Sequence, residues 1–244
     1  MPLAHRYALY LAPPEPWRSV GDQWLGRSPA TGAVLAPAPG ADPRQPGWTT
    51  EPRRYGLHAT LKPPFRLKPG TTVQGLDAAV RALAARAQAF EAPMQCRALR
   101  GFLAWCLADD DARTFARMQA LGSDAVQSLD VFRAPPTEAE LARRRKTPLS
   151  PAHVAMLDRW GYPYVFDQFV FHITLSDKLQ GQDLEDAGQQ VLAISAALLR
   201  EPMPVRAVSL YVQPEPDAPF LIARHYGFDG TTADCAGAAY LAGD

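Results

Sequence analysis

The sequence has few cysteines, and their spacing suits neither a disulfide framework nor a metal site. The chain contains three, Cys96, Cys106 and Cys235, with no Cys-x-x-Cys pair. An odd number of widely spaced cysteines argues against paired disulfides and against a zinc site, and indicates a reducing compartment. We expect Cys96 and Cys106 to fill the core.

An excess of charge of either sign is also missing. Lys plus Arg and Asp plus Glu number 25 each, so the formal net charge is +0 at pH 7. No global field would attract a long nucleic acid, and a small phosphate ester recognised locally is the better match.

Long apolar runs are absent as well. The sequence has no stretch of about 18 consecutive apolar residues, and its first residues do not read as a signal peptide. We therefore expect a cytoplasmic protein that does not contact a membrane. With 244 residues, 47% of them hydrophobic, the chain can bury a sizeable core.

One short pattern occurs twice. His58-Ala59-Thr60-Leu61 and His172-Ile173-Thr174-Leu175 each place a His and a Thr two residues apart in an apolar setting typical of a strand. Residues i and i+2 of a strand point to the same face, so each His projects together with its Thr. A single His-x-Thr means little, because Thr is common in strands. Two copies side by side would surround one small volume with two imidazoles and two hydroxyls, which predicts a phosphodiester site.

The elements after the two copies follow the same order. Each motif strand precedes a predicted helix, 73–90 or 184–199, and then a pair of strands, 94–107 or 205–226. We expect an α/β (α+β) fold made of two duplicated strand-helix-hairpin units about a pseudo-twofold axis, with the motif strands adjacent at the centre of a concave sheet. A ligand would lie in the cleft between the lobes.

The predicted boundaries define one domain, about 1–230, with a flexible tail at 231–244. Its parts are lobe one at about 1–110, a helical connection at about 111–165 and lobe two at about 166–230.

Other local signals complete the prediction. They predict a strand at 6–12, a helix at 17–25, a surface connection at 26–48 and a helix at 151–160. The first motif strand should end at Leu61, because Pro63 and Pro64 follow. A helix at 111–129 should have an apolar stripe of Phe115, Met118 and Leu121, and a further helix should be capped by Thr137 and Glu140.

Two histidines on opposite sides of a phosphorus atom could supply both acid and base, since the unperturbed pKa of imidazole is about 6.5. One neutral ring would accept a proton while the other, protonated, donates one, and the Thr hydroxyls would hold the non-bridging oxygens. This scheme needs no metal, and we expect no cofactor. Few carboxylates lie near the motifs, Asp177 being the exception.

The paired segments resemble the signature of the two-histidine phosphoesterase superfamily, whose members have a two-lobed α/β fold and act on cyclic phosphodiesters and 2′,5′ linkages. The resemblance is closer to a bacterial branch of phosphonate metabolism proteins encoded with carbon–phosphorus lyase genes. It rests on RYGLHATLKPPF (54–65), FRAP (132–135), ELARR (140–144), WGYPY (160–164) and WLGR (24–27).

This resemblance implies that His58 and His172 are the acid/base pair and that Thr60 and Thr174 bind phosphate; it does not decide which His is the base. Further candidates for substrate contact are Tyr55, Lys62, Arg133, Arg143 and Tyr164, for each of which a structural role is an equal alternative. Arg6 is a weaker candidate, and His5, His153 and His225 are expected to be surface or packed residues.

The function expected from the sequence is a metal-independent phosphodiesterase that opens a small cyclic phosphate, linked to phosphonate or nucleotide metabolism. Two alternatives stay open: a non-catalytic nucleotide or sugar-phosphate binding protein, and an enzyme that processes RNA ends.

Overall fold

The computed structural model describes residues 3–145 and 148–242, and for residues 143 and 145 the backbone alone. The strands are Arg6–Leu11 (β1), Ala59–Phe65 (β2), Phe90–Ala92 (β3), Met94–Leu99 (β4), Phe102–Leu107 (β5), His172–Thr174 (β6), Met203–Val205 (β7), Ala207–Gln213 (β8), Leu221–Gly227 (β9) and Thr232–Asp234 (β10). The α-helices are Trp17–Leu25 (α1), Gln45–Trp48 (α2), Thr50–Tyr55 (α3), Val73–Arg86 (α4), Ala112–Leu129 (α5), Glu138–Arg145 (α6), Pro151–Trp160 (α7) and Gly181–Ser195 (α8). Turns of 3₁₀ helix lie at Asp130–Phe132, Phe166–Gln168, Leu198–Arg200 and Ala238–Leu241.

A large antiparallel sheet organises the molecule. Its eight strands run in the order β10-β9-β8-β1-β2-β6-β5-β4, and β3 and β7 form a separate pair. The two motif strands, β2 and β6, are neighbours in the middle of this sheet, where Ala59 pairs with Ile173. The mixed α/β class is confirmed. The division into two pseudo-twofold lobes stays a prediction, because strands from both halves share one continuous sheet.

Helices cover one face of the sheet. Helix α5 packs on β2, α8 packs on β4 and β5, and α4 packs on β8 and β9. Ala59 and Ile173 point into this layer and are buried in the same core as Val80 and Val191. Because side chains alternate along a strand, the residues that flank Ala59 and Ile173 point to the other face. The motif His and Thr side chains therefore share that second face.

Several local predictions are confirmed. Helix α1 and the hairpin strands β4 and β5 have the predicted bounds. At the start of α6, the Thr137 backbone N–H donates to Glu140 Oε2 (2.7 Å) and the Glu140 N–H donates to Thr137 Oγ1 (3.2 Å), which is the predicted capping box. Cys106 is buried and Cys96 half-buried, and both are free thiols.

The prediction that Pro63 and Pro64 end the motif strand is wrong. Strand β2 continues through both prolines to Phe65. Strand β6 has only three residues and pairs with β2 at Ala59 alone, so β2 beyond Leu61 has a partner on one side only. The ladder with that partner, β1, is also irregular between Tyr7 and Tyr10. Proline is tolerated where a strand has such an edge or bulge.

The stretch expected to be a surface connection and the expected C-terminal tail both contain buried residues. In the stretch 26–48, Arg27 and Trp48 are buried, and Arg27 forms an isolated bridge with Val34. In the expected tail, β10 pairs with β9 and Leu241 is buried. Both segments also bond to residues distant in sequence, Trp48 to Asp177 and Ala236 to Ala30, which local composition does not reveal. In α5, by contrast, Phe115 is exposed although Met118 and Leu121 of the same predicted stripe are buried.

Within the described ranges, no helix combines the length and apolarity needed to cross a bilayer.

Candidate functional site: two His-x-Thr segments on paired strands

The pairing of Ala59 with Ile173 brings the two motifs into reciprocal register. In an antiparallel ladder centred on this pair, position 58 lies across from 174 and position 60 lies across from 172. Each His therefore faces the Thr of the other copy across the strand boundary. The four side chains that the sequence singled out are brought together on one face.

Both imidazoles are held in the same way. His58 Nδ1 lies 2.8 Å from the carbonyl oxygen of Gly56, and His172 Nδ1 lies 2.8 Å from that of Val170. A carbonyl only accepts hydrogen bonds, so Nδ1 carries the proton in each ring. In the neutral form, Nε2 is then an acceptor. Thr60 Oγ1 lies 3.3 Å from Nε2 of His58.

Glycine is required at position 56 for this arrangement. Gly56 has φ +74° and ψ 167°, and a Cβ at this position would lie 2.8 Å from the Pro29 ring. This backbone is accessible to glycine and strained for other residues. It directs the Gly56 carbonyl onto His58.

His58 lies against aromatic rings. Its ring stacks on Tyr10 with the centroids 3.8 Å apart and the planes inclined by 16°. The Tyr211 ring is 5.9 Å away, and its hydroxyl donates to the Leu57 carbonyl (2.9 Å). Burial lowers the pKa of His58 to about 4. The hydrogen bond to Gly56 opposes this shift, and the charge of His172 adds to it. His58 is therefore neutral at pH 7.

His172 has a different environment. Burial lowers its pKa below the ordinary value, with a smaller contribution from Arg100. Its ring lies 5.6 Å from that of Phe102. It lines a pocket of about 170 Å³ that also includes Arg100, Tyr162 and Tyr164.

A larger cleft of about 700 Å³ opens beside it and is lined by His58, Thr60 and Thr174. Thr60, Pro63, Phe102 and Tyr162 line both cavities, so the four motif residues border two adjoining spaces. The charged residues around the cleft are Arg6, Arg54, Arg144, Lys178, Glu51, Asp177 and Asp217.

All three acids have partners, and Glu51 accepts a hydrogen bond from the Tyr55 hydroxyl (3.3 Å). Asp177 accepts hydrogen bonds from the N–H groups of Thr50 (3.1 Å) and Glu51 (3.0 Å), at the N-terminus of α3. Asp217 lies 3.6 Å from Arg54. The cleft thus offers an anion hydroxyl donors, neutral imidazoles and a cationic rim.

The secondary candidates fall into three groups. Tyr55 lines the cleft, with its hydroxyl 3.3 Å from Glu51, and Tyr164 lines the smaller pocket. Lys62 and Arg133 are directed away from the cleft toward Asp130, to which their side-chain nitrogens come within 3.3 Å and 2.7 Å. Lys62 is buried and also donates to the Val126 carbonyl (3.0 Å). The Arg143 side chain lies outside the described part of the chain.

His153 and His225 form hydrogen bonds outside the site. His153 Nδ1 lies 2.9 Å from Ser150 Oγ at the start of α7, and His225 Nδ1 lies 2.7 Å from Ser209 Oγ. His225 borders neither cavity of the site.

Sequence reasoning missed Tyr10, Arg100 and Tyr162. Tyr10 is found only from the β1–β2 register, which pairs it with Thr60. Arg100 has φ +52° in the tight turn between β4 and β5. The neighbouring Gly101 indicates this turn in the sequence. Among the residues that the structure describes, no three His, Cys, Asp or Glu side chains cluster so as to hold a metal ion.

Residues 60–221 match the sequence model of a family described as "Protein of unknown function (DUF1045)". The chain belongs to the DUF1045 family. The matched range contains Thr60, His172 and Thr174, and it begins two residues after His58.

Two curated relatives resemble this DUF1045 chain. Ribose 1,5-bisphosphate phosphokinase PhnN of Janthinobacterium sp. (strain Marseille) is 36% identical over 242 residues, covering 92% of the chain and 51% of the relative. The protein of the same name from Laribacter hongkongensis (strain HLHK9) is 33% identical over 221 residues, covering 90% of the chain and 51% of the relative. The chain spans about half the length of the curated relatives it matches.

These names correct the function expected from the sequence. Both relatives are named as a kinase for a ribose bisphosphate, so hydrolysis of a cyclic phosphodiester is not supported. An RNA end as substrate has no support either, because the named compound is a sugar phosphate. The expected link to phosphonate metabolism is supported, and the relatives are enzymes by name. Membership of the two-histidine phosphoesterase superfamily stays a prediction.

Proposed function

We propose that this chain forms the sugar-phosphate site of an enzyme of phosphonate metabolism, and that its cleft holds a phosphorylated ribose. The observation that carries the proposal is the reciprocal pairing of two His-x-Thr segments on adjacent strands. Both relatives are named for ribose 1,5-bisphosphate, which indicates a sugar phosphate as the ligand.

Thr60 and Thr174 are the phosphate binders in this proposal. Their hydroxyls lie on the same sheet face and border the same cleft. A hydroxyl donates one hydrogen bond to a phosphate oxygen, and bonds to a charged acceptor are stronger than neutral ones. The cations at the rim, Arg6, Arg144 and Lys178, add attraction for the anion.

His58 and His172 are the proposed catalytic pair. With Nδ1 bonded to a carbonyl, neutral His58 offers Nε2 as an acceptor to a ribose hydroxyl of the bound sugar phosphate. His172 is less enclosed by aromatic rings. When a phosphate dianion binds, it favours protonation of His172, which then donates from Nε2 to a phosphate oxygen.

The proposal concerns the sugar-phosphate side of the reaction. The 244 residues contain no Gly-Lys dipeptide, and hence no Gly-x-x-x-x-Gly-Lys-Ser/Thr loop of the kind that cradles nucleotide phosphates. The kinase activity named for the relatives belongs to proteins about twice as long.

We also propose that the site arose by duplication, as in the two-histidine phosphoesterase superfamily, without the hydrolytic activity of that superfamily. Each motif strand precedes a helix, a short strand and a hairpin, and the short strands β3 and β7 pair with each other. Equal Nδ1–carbonyl distances of 2.8 Å at both histidines support the same origin.

Isothermal titration calorimetry tests the proposal with ribose, ribose 5-phosphate and ribose 1,5-bisphosphate. We expect the phosphorylated sugars to bind and ribose to bind far more weakly. Thr60→Val and Thr174→Val keep the side-chain shape and should each weaken binding about tenfold or more. His225→Asn, remote from the cleft, is the matched control. Equal affinity for ribose and its phosphates would overturn the proposal.

A further inference from the structure

The two histidines border different spaces, and Thr60 borders both. His58 lines the cleft of about 700 Å³, whereas His172 lines the pocket of about 170 Å³. The smaller space has room for a phosphate group, and the larger one has room for a pentose. A sugar phosphate held at Thr60 can therefore direct its two ends into different spaces.

Arg100 carries a permanent charge at the smaller pocket. Its guanidinium lies over the Tyr164 ring, 5.2 Å from the centroid, and both residues line the pocket together with His172. Within the part of the chain that the structure describes, Arg100 forms no ion pair with a carboxylate, and its guanidinium donates no hydrogen bond. The contact with Tyr164 supplies no full negative charge, so the N–H donors of Arg100 are available to an anion.

Arg100 also occupies a backbone position that is strained for arginine. Leu99 pairs with Phe102, so Arg100 and Gly101 form the two-residue loop between β4 and β5, with φ +52° and +92°. Positive φ at both positions favours Asn, Asp or Gly at the first one. The Gly101 carbonyl accepts a hydrogen bond from the Leu179 N–H (2.8 Å), which holds the turn in place. Strain of this kind clusters at ligand sites, where the side chain has a role that the turn itself does not require.

The charge of Arg100 acts on His172. Burial is the larger cause of the lowered pKa of His172, and the charge of Arg100 lowers it further. Both histidine rings have the same carbonyl anchor, but the ring of His172 has this cation beside it. A phosphate dianion at this position would be attracted to Arg100 and to a protonated His172 at once.

We propose that Arg100 binds the ligand phosphate on the His172 side, so that the phosphate lies at Thr60, on the boundary between the two spaces, and the pentose extends into the cleft toward His58. The two histidines then have different partners: His172 faces the phosphate, and His58 faces a sugar hydroxyl. This inference rests on the proposed function, because it needs a phosphorylated sugar in the cleft.

Two ligands separate a contact with the phosphate from a contact with the sugar. Binding of ribose 5-phosphate is measured by isothermal titration calorimetry, and binding of inorganic phosphate by NMR shifts of the histidine imidazole protons. Arg100→Gln should weaken the binding of both ligands about tenfold, because a hydrogen bond between a charged donor and a charged acceptor is lost. Arg100→Lys keeps the charge and should restore part of the affinity.

Arg100→Asn distinguishes a role in binding from a role in stability. Asparagine suits the first position of the turn, so the free energy of unfolding should not fall, while the affinity should fall as in Arg100→Gln. Arg113→Gln removes an exposed arginine of α5 and should change neither quantity.

Three results would count against the inference. Unchanged affinity in Arg100→Gln and Arg100→Asn would overturn it and leave the sugar-phosphate site intact. A loss confined to ribose 5-phosphate would also overturn it, because Arg100 would then contact the sugar. A wild-type protein that binds neither ligand would overturn both this inference and the proposed function.

Discussion

Ala59 and Ile173 stand directly opposite each other in the ladder between β2 and β6, both directed into the core. This single pair fixes the positions of the four residues around it, because a shift by one residue would turn every side chain to the other face. Burial of Ala59 and Ile173 thus positions the two His-x-Thr segments, which lie more than a hundred residues apart in the chain.

The Tyr10 stack should control the titration of His58. In Tyr10→Leu, loss of the ring 3.8 Å from His58 admits water, and the pKa of His58 should rise from about 4 toward 6.5. The measurement is an NMR titration of the imidazole protons. Tyr7→Leu, on the same strand but on the core-facing side, should leave this pKa unchanged; a pKa that stays near 4 in Tyr10→Leu would contradict the role of the stack.

Gly56 should be needed for both stability and binding. In Gly56→Ala, the positive φ and the Cβ at 2.8 Å from Pro29 should together lower the free energy of unfolding by about 2–3 kcal/mol. Displacement of the Gly56 carbonyl from His58 should also weaken ligand binding. Gly70→Ala has a similar φ, +85°, with no heavy atom within 4 Å, and should cost about 1 kcal/mol with no effect on binding. If urea denaturation shows that Gly56→Ala and Gly70→Ala lose the same free energy of unfolding, the contact with Pro29 makes no contribution.

Lys62 should be a structural residue. Lys62→Ala removes a buried side chain and its bonds to Val126 and Asp130, which should cost about 3 kcal/mol of unfolding free energy. Lys62→Met retains the stem and should cost less. Arg133 remains paired with Asp130 in both variants, so the affinity for a sugar phosphate should stay as in the wild type. If correctly folded Lys62→Met binds the sugar phosphate more weakly than the wild type, Lys62 contributes to ligand binding and this prediction is wrong.

The buried histidines should make the protein sensitive to acid. Burial lowers the pKa of His58 and of His225 to about 4, so between about pH 6.5 and 4 the unfolded chain binds protons that the folded chain does not. Stability must therefore fall as the pH falls through this window, by at most about 3 kcal/mol for each histidine.

A carboxyl group opposes this trend. Burial raises the pKa of Asp22 to about 6, so below that pH the folded state gains a proton that the unfolded state lacks. The comparison with His58→Gln isolates the histidine, because Asp22 is common to both proteins. Chemical denaturation at pH 7 and pH 4.5 should show a smaller loss in His58→Gln; an equal loss would contradict the depressed pKa.

Local chemistry explains which parts of the fold could be predicted from sequence. The helix α1, the hairpin β4–β5 and the Thr137–Glu140 capping box depend on neighbouring residues, and their signals are correct. The continuation of β2 through Pro63 could not be predicted, because it depends on how far β6 extends beside it.

The site shows the same division. The His-x-Thr repeat singles out His58, Thr60, His172 and Thr174 by their spacing, and the strand pairing brings these four side chains to one face of the sheet. Tyr10 reaches the site only through the strand register that pairs it with Thr60. Lys62 illustrates the reverse: its position in the motif strand favours the cleft, but its side chain is drawn to Asp130 through the other face.

The most direct test of the central claim is an NMR titration of all histidines with and without ribose 5-phosphate. A phosphate dianion held between the two motifs should raise the pKa of both His58 and His172 and leave that of His225 unchanged. Thr60→Val should reduce both increases. If the sugar phosphate moves neither pKa, or moves only one of them, the two His-x-Thr segments do not form one phosphate site.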